Sequence, residues 1–200
     1  KSGLRDVESR LDAGSRSFVI YGEPQSGKTE FMIALTCKLL DQGYKTIFVI
    51  MNDNTELEEQ NFKRFKKCIE INPSPMRAFD FAALPDKDRR TNIQRVIFCR
   101  KNAANLRKLI QDARYLTDRI IIDDEADFAS PDTKINKDGD PSAINNLVGS
   151  LGNLDEGGTG KYIGVTATPG RLDLNNTFLN DARDWVFLES HAAYVGRGFF

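Results

Sequence analysis

Ser17-Phe18-Val19-Ile20-Tyr21 runs straight into Gly22-Glu23-Pro24-Gln25-Ser26-Gly27-Lys28-Thr29, and the helix-like stretch Glu30 to Leu40 follows at once. The first five residues read as a buried strand. The next eight complete the pattern G-x-x-x-x-G-K-[ST] between a strand and a helix, which is the setting in which that pattern carries meaning. Gly22 and Gly27 let the backbone curl so that successive N–H groups point inward at phosphate oxygens. Lys28 is expected to reach the β and γ phosphates of a nucleotide, and Thr29 to offer its hydroxyl to Mg²⁺. The positive end of the following helix faces the same anion. The bland alternative, a chance glycine turn, would have to fall by accident between an apolar run and a helix.

Working outward, Thr46 to Ile50, Arg95 to Cys99, Arg119 to Ile122 and Tyr162 to Thr166 are further short apolar runs. Helices are predicted over Glu56 to Glu70, with Thr55 as the cap, and over Ala103 to Tyr115. Strands that are apolar along their length and alternate with helices predict an α/β fold, a mostly parallel sheet covered by helices on both faces. Residues 1–200 fit one such domain. Polar Pro131 to Pro141 and glycine-rich Gly152 to Lys161 read as mobile surface. Trp185 and Phe187 read as packing a final strand rather than stacking on bases.

The bulk numbers exclude little. A net charge of -1 makes no case by itself for a nucleic-acid partner, although a local stripe of charge would be compatible with it. Cys37, Cys68 and Cys99 are far apart and His191 stands alone, so no metal-ligand spacing occurs, and reduced thiols are expected. No apolar run is long enough for a membrane span, and the expected compartment is the cytoplasm.

Ile120-Ile121-Ile122-Asp123-Asp124-Glu125-Ala126-Asp127 sets carboxylates at the carboxyl end of a buried strand, the edge at which ligands collect in open parallel sheets. Asp124 is placed to hold Mg²⁺ and Glu125 to orient or deprotonate an attacking water. Asp123 and Asp127 receive no firm duty. So many close carboxylates are costly without a cation nearby, which favours a metal over a merely solvated acidic turn. Thr166-Ala167-Thr168-Pro169 ends the next strand. Its hydroxyls can bond to the acidic motif or near the γ phosphate, or can simply cap a turn ahead of Pro169.

In their order, Gly22 to Thr29, Asp124 to Asp127 and Thr166 to Thr168 resemble motifs I, II and III of superfamily 2 DEAD/DEAH-box helicases. The details QSGKT, IDDEADFASP and GVTATPGRLDLNNTF look most like the bacterial restriction or phage-defence type. The resemblance implies a RecA-like P-loop NTPase fold, ATP and Mg²⁺ as cofactors, and a motor domain of a nucleic-acid-dependent helicase or translocase. Lys28 and Glu125 are then catalytic, Gly22, Glu23, Pro24, Gln25, Ser26, Gly27, Lys28 and Thr29 hold the nucleotide, and Thr29 and Asp124 hold the metal. Thr166 and Thr168 couple hydrolysis to motion. No glutamine motif for adenine precedes Gly22. No second RecA-like domain with its arginine finger follows Thr168, so a longer protein is expected, and this piece alone should hydrolyse ATP poorly.

The resemblance also implies a nucleic-acid partner, with DNA favoured over RNA. Asn52, Asn54 and Thr55 after the second strand, and Arg100, Lys101 and Asn102 after the third, are the candidate contacts. The basic cluster Lys63-Arg64-Lys66-Lys67, with Phe62 and Phe65 interleaved, reads as an amphipathic helix with a solvated lysine face. His191 reads as an ordinary surface or core histidine, and no chemistry attaches to Tyr194 to Phe199. A P-loop ATPase switch or assembly ATPase that never tracks along a polymer is the alternative function.

Overall fold

The computed structural model describes residues 2–24, 26–52, 55–69, 77–80, 93–114, 116, 118–127, 143–154, 158–168 and 185–189. Gln25, Asn54, Pro131 to Pro141, His191 and Tyr194 to Phe199 therefore lie outside the described residues. So does the side chain of Thr55.

Helix α1 (Ser2–Asp12) leads into β1 (Ser17–Tyr21), then α2 (Lys28–Asp41), β2 (Thr46–Met51), α3 (Thr55–Ile69) and β3 (Arg77–Asp80). The chain continues through β4 (Arg95–Arg100), α4 (Ala103–Ala113), β5 (Arg119–Asp124), α5 (Ala143–Gly152), β6 (Lys161–Thr166) and β7 (Trp185–Phe187). Among the described residues the strands form a seven-stranded sheet in the order β3-β4-β2-β5-β6-β1-β7. Every pairing in it is parallel. The expected α/β architecture is thus present.

Helices cover both faces, and the alternation of side chains along each strand divides the core between them. Ile120 and Ile122 join Phe31, Met32, Leu35 and Leu39 of α2 and Phe65 of α3 on one side. Ile121 and Tyr162 join Leu106 and Leu109 of α4 and Val148 and Leu151 of α5 on the other. On α3, Phe62 and Phe65 meet Phe98 edge-on at centroid distances of 5.0 and 5.1 Å, pairs of the kind that contribute about 0.5–1.5 kcal/mol beyond their buried area. Lys63, Arg64, Lys66 and Lys67 are exposed on the same helix. The aromatic-in, lysine-out reading of that cluster holds.

Elsewhere the structure departs from the expectations. Helices α1 and α5 and strand β3 were not anticipated, α3 begins at Thr55 itself, and α4 ends at Ala113 rather than at Tyr115. The stretch from Gly152 is not simply mobile surface. Gly152 ends α5, and Leu154 is buried against the second core, 3% exposed. Gly152 and Gly160 there mark tight packing.

The strand order has one consequence for function. β5, β6 and β1 are consecutive in the sheet, so the carboxyl ends of three strands far apart in sequence lie side by side. Register fixes them closely: Tyr21 is opposite Thr166, and Asp124 is opposite Val165.

Candidate nucleotide and metal site

The loop after β1 turns back immediately. The Ser26 amide donates to the Glu23 carbonyl at 3.0 Å, and the Gly22 amide to the Thr166 carbonyl at 3.1 Å, which ties the loop to the end of β6. Gly27 caps α2 at φ 86°, a left-handed conformation that a residue with a Cβ adopts only against a steric cost. A Cβ on Gly22 would lie 2.6 Å from Ser26 Oγ and 3.2 Å from Leu188 Cδ2. Both glycines are thus demanded by local geometry. Ser26 Oγ is buried with no hydrogen-bond partner among the described residues. Lys28 Nζ donates to the carbonyls of Gly22 and Glu23 at 3.1 and 2.9 Å, so its ammonium is folded over the curl.

Across from the loop, the acids divide by the alternation of β5. Asp124 and Glu125 line a cavity of about 540 Å³ together with Lys28 and Thr29. Asp123 faces away from that cavity. Its side chain is buried, accepting from Tyr162 OH at 2.7 Å and pairing with Lys101 Nζ at 2.7 Å. The expectation of a single crowded carboxylate cluster is therefore corrected: strand alternation sends one acid to the opposite face. Asp127 is engaged by the threonines. Thr166 Oγ1 donates to its Oδ1 at 2.6 Å, Thr168 Oγ1 donates to its Oδ2, and the Thr168 amide donates to Thr166 Oγ1 at 3.0 Å. Thr166, Ala167 and Thr168 line the same cavity. The three loops named from the sequence meet at one place.

Burial perturbs one acid and one base of the site in opposite directions. Burial pushes the Asp124 carboxyl up to about 6, with Glu125 and then Asp123 adding to the rise and Lys101 opposing it. Burial pulls the Lys28 ammonium below its ordinary value, against the attraction of Asp124, Glu125 and Asp127. A divalent ion beside Asp124 and phosphates beside Lys28 would relieve both. Among the described residues no three Asp, Glu, His or Cys side chains gather tightly enough to hold an ion alone. Mg²⁺ usually takes one or two carboxylates and completes its shell with phosphate and water, and Asp124 with the Thr29 hydroxyl would offer such a partial set. The tight curl at Gly22, the unpartnered Ser26 hydroxyl and these donors fit a Mg²⁺-nucleotide.

The candidate nucleic-acid contacts fare unevenly. Lys101 is corrected: its side chain is wholly buried, and its ammonium is spent on Asp123 and on the carbonyls of Asp124 and Glu125, at 2.9 Å each. Asn102 Oδ1 accepts from the Asn105 amide at 2.9 Å and so caps α4. Arg100 is half-buried at the end of β4. Asn52 turns toward the acidic motif, where its Nδ2 donates to Glu125 Oε2 at 2.6 Å. Three α3 residues, Gln60, Asn61 and Arg64, also reach the cavity, and Arg64 is ion-paired with Glu30 of α2. The sequence marked only Arg64 among them, as part of the basic cluster, because reaching the cavity depends on how α3 packs beside α2.

Fold and loops together define the class: a RecA-like P-loop ATPase domain of the superfamily 2 helicase type. The chain belongs to the family described as "Type III restriction enzyme, res subunit", whose model matches residues 1–171. Among solved structures, a DUF1998 helicase MrfA bound to DNA is 15% identical, with TM-score 0.62 over 92% of this chain and 27% of that chain. The Hef helicase domain of Pyrococcus furiosus is 14% identical, with TM-score 0.58 over 92% of this chain and 38% of that one. The DEAD-box helicase Mss116 bound to ssRNA and UDP-BeF is 18% identical, with TM-score 0.60 over 93% and 39%. At these identities the likeness is one of fold, and the chain spans well under half of each of these proteins. A search of curated proteins gave no match. No described helix is long and apolar enough to cross a membrane.

Proposed function

We propose that this chain is the ATP-binding and hydrolysing motor domain of a nucleic-acid-dependent helicase or translocase. The convergence of the Gly22–Thr29 loop, the Asp124–Glu125 turn and the Thr166–Thr168 turn on one cavity carries the reading. Backbone amides of the curl and the Lys28 ammonium bind the triphosphate, and Thr29 and Asp124 hold Mg²⁺. The ion, when bound, neutralises charge on the phosphate oxygens. Glu125 orients the attacking water and takes up its proton, with its carboxylate steadied by Asn52. Asp127, bridging both threonines, links the acidic turn to the end of β6, a path by which hydrolysis is passed to motion.

A second motor domain elsewhere in the full-length protein completes the cleft in this reading. Its support is the 27–39% share of the similar solved chains that this chain spans. DNA is the favoured polymer, supported by membership in a restriction-enzyme family. A cytoplasmic setting accords with the three free thiols. The test is ATP hydrolysis by the full-length protein with and without single- and double-stranded DNA and RNA. Stimulation by a polymer supports the motor. Hydrolysis indifferent to every polymer, with no salt-dependent binding to any, identifies a switch or assembly ATPase instead.

A further inference from the structure

Asp123 is one acid more than the cavity uses, and it occupies a fully buried position on β5. A carboxylate there is tenable only with a partner, and the partner comes from an unexpected distance. Lys101 follows β4, which is separated from β5 by the whole of β2. Its amide continues the ladder by donating to the Met51 carbonyl at 2.8 Å, and its side chain then passes the end of β2 to the acidic turn. Here the ammonium donates to two backbone carbonyls of one turn and pairs ionically with a third oxygen of it. The oxygens are Asp123 Oδ1 at 2.7 Å and the carbonyls of Asp124 and Glu125 at 2.9 Å each. Both Lys101 and Asp123 side chains are 0% exposed.

Two of those three oxygens belong to backbone, which a mere charge pair would not require. The backbone concerned is unusual. Glu125 stands at φ 50°, a left-handed conformation disfavoured for a residue with a Cβ. Ordinary relaxation of that torsion would swing its carboxylate. Clamping the carbonyls of the two peptide links that flank the Glu125 Cα opposes such a swing, and Asp123 in turn is fixed by Tyr162 of β6.

We propose that Lys101 is a positioning residue for hydrolysis: reaching across from β4, it locks the strained acidic turn so that Glu125 presents its carboxylate to the nucleotide cavity. The proposal rests on the role given to Glu125 above. Lys101 acts through that turn and touches neither nucleotide nor ion.

The experiment compares Lys101→Met, Lys101→Gln and the double variant Lys101→Met/Asp123→Asn in the full-length protein, by polymer-stimulated ATP hydrolysis and thermal melting. Lys101→Met alone strands a buried carboxylate, so its melting temperature falls. Neutralising Asp123 as well removes that penalty, and the double variant melts near wild type. Its kcat nevertheless stays about 10- to 100-fold low, because nothing holds the two carbonyls, while KM for ATP stays within about threefold of wild type. Lys101→Gln, which keeps N–H donors, retains several-fold more kcat than Lys101→Met and guards against loss of the double variant to misfolding. Recovery of wild-type kcat together with stability in the double variant overturns the proposal, as do equal losses for Met and Gln. Glu125→Gln, measured alongside, separates the two levels. If it hydrolyses ATP normally, the functional reading itself fails. If it is inactive while the double variant is fully active, only the role of Lys101 fails.

Discussion

Replacing Asp124 by Asn should make the fold more stable while ending Mg²⁺-dependent turnover. The side chain is part-buried beside Glu125, and its carboxyl is pushed from 3.8 up to about 6. A rise of roughly two units at about 1.4 kcal/mol each sets a ceiling near 3 kcal/mol for the cost of ionising it in the folded state. Partial access to water reduces the realised cost to about 1–2 kcal/mol. Asparagine keeps the local geometry, because its Oδ1 can still accept from the Glu125 amide as Asp124 Oδ1 does at 3.1 Å. The sign follows from linkage. Below the unfolded value both states hold the proton, and there is no difference. As pH rises from about 4 to about 6 the unfolded chain ionises first, so the wild type loses stability. Above that range the loss is complete and constant. Thermal denaturation in EDTA should therefore show Asp124→Asn melting about 5 °C above wild type at pH 7, a gain that shrinks toward zero at pH 4. Added Mg²⁺ should stabilise wild type and leave the variant unmoved. A variant less stable than wild type at pH 7, or a gain indifferent to pH, would refute the electrostatic reasoning.

Other substitutions probe separate parts of the site. Lys28→Ala removes a charge-assisted donor from the curl and should weaken nucleotide affinity by about 1.5–3 kcal/mol in a fluorescent-nucleotide titration. Gly22→Ala drives a methyl group to within 2.6 Å of Ser26 Oγ. It should cost about 1–3 kcal/mol in denaturant unfolding and distort the curl enough to reduce nucleotide binding as well. Asp127→Ala releases Thr166 and Thr168 from the acidic turn. ATP binding should persist while stimulation of hydrolysis by nucleic acid is lost, and unchanged stimulation would count against a coupling role.

Much of the site was legible because its chemistry is local. The Gly22–Thr29 curl forms within eight consecutive residues, and glycine at φ 86° before Lys28 is a requirement of backbone geometry that sequence states directly. The β5 and β6 strand ends were legible for a similar reason, since unbroken apolar runs stop where their polar residues begin. Elements of mixed pattern were harder. Helix α1 does set Leu4, Val7 and Leu11 at helical spacing, a signal diluted by its charged neighbours, whereas the four-residue strand β3 is too short for a period to show.

The order of residues along the chain determined that a phosphate-binding curl, an acidic strand end and a threonine strand end all exist, because each is built from neighbours. Only the tertiary structure decided that they share one cavity, since that follows from β5, β6 and β1 lying side by side. It also decided the fate of individual charges. Lys101 looked like a nucleic-acid contact because it stands at the carboxyl end of a strand. The packing of β4, β2 and β5 turned it inward onto Asp123. A buried charge must find its opposite in space, and which opposite that is depends on the sheet rather than on distance along the chain.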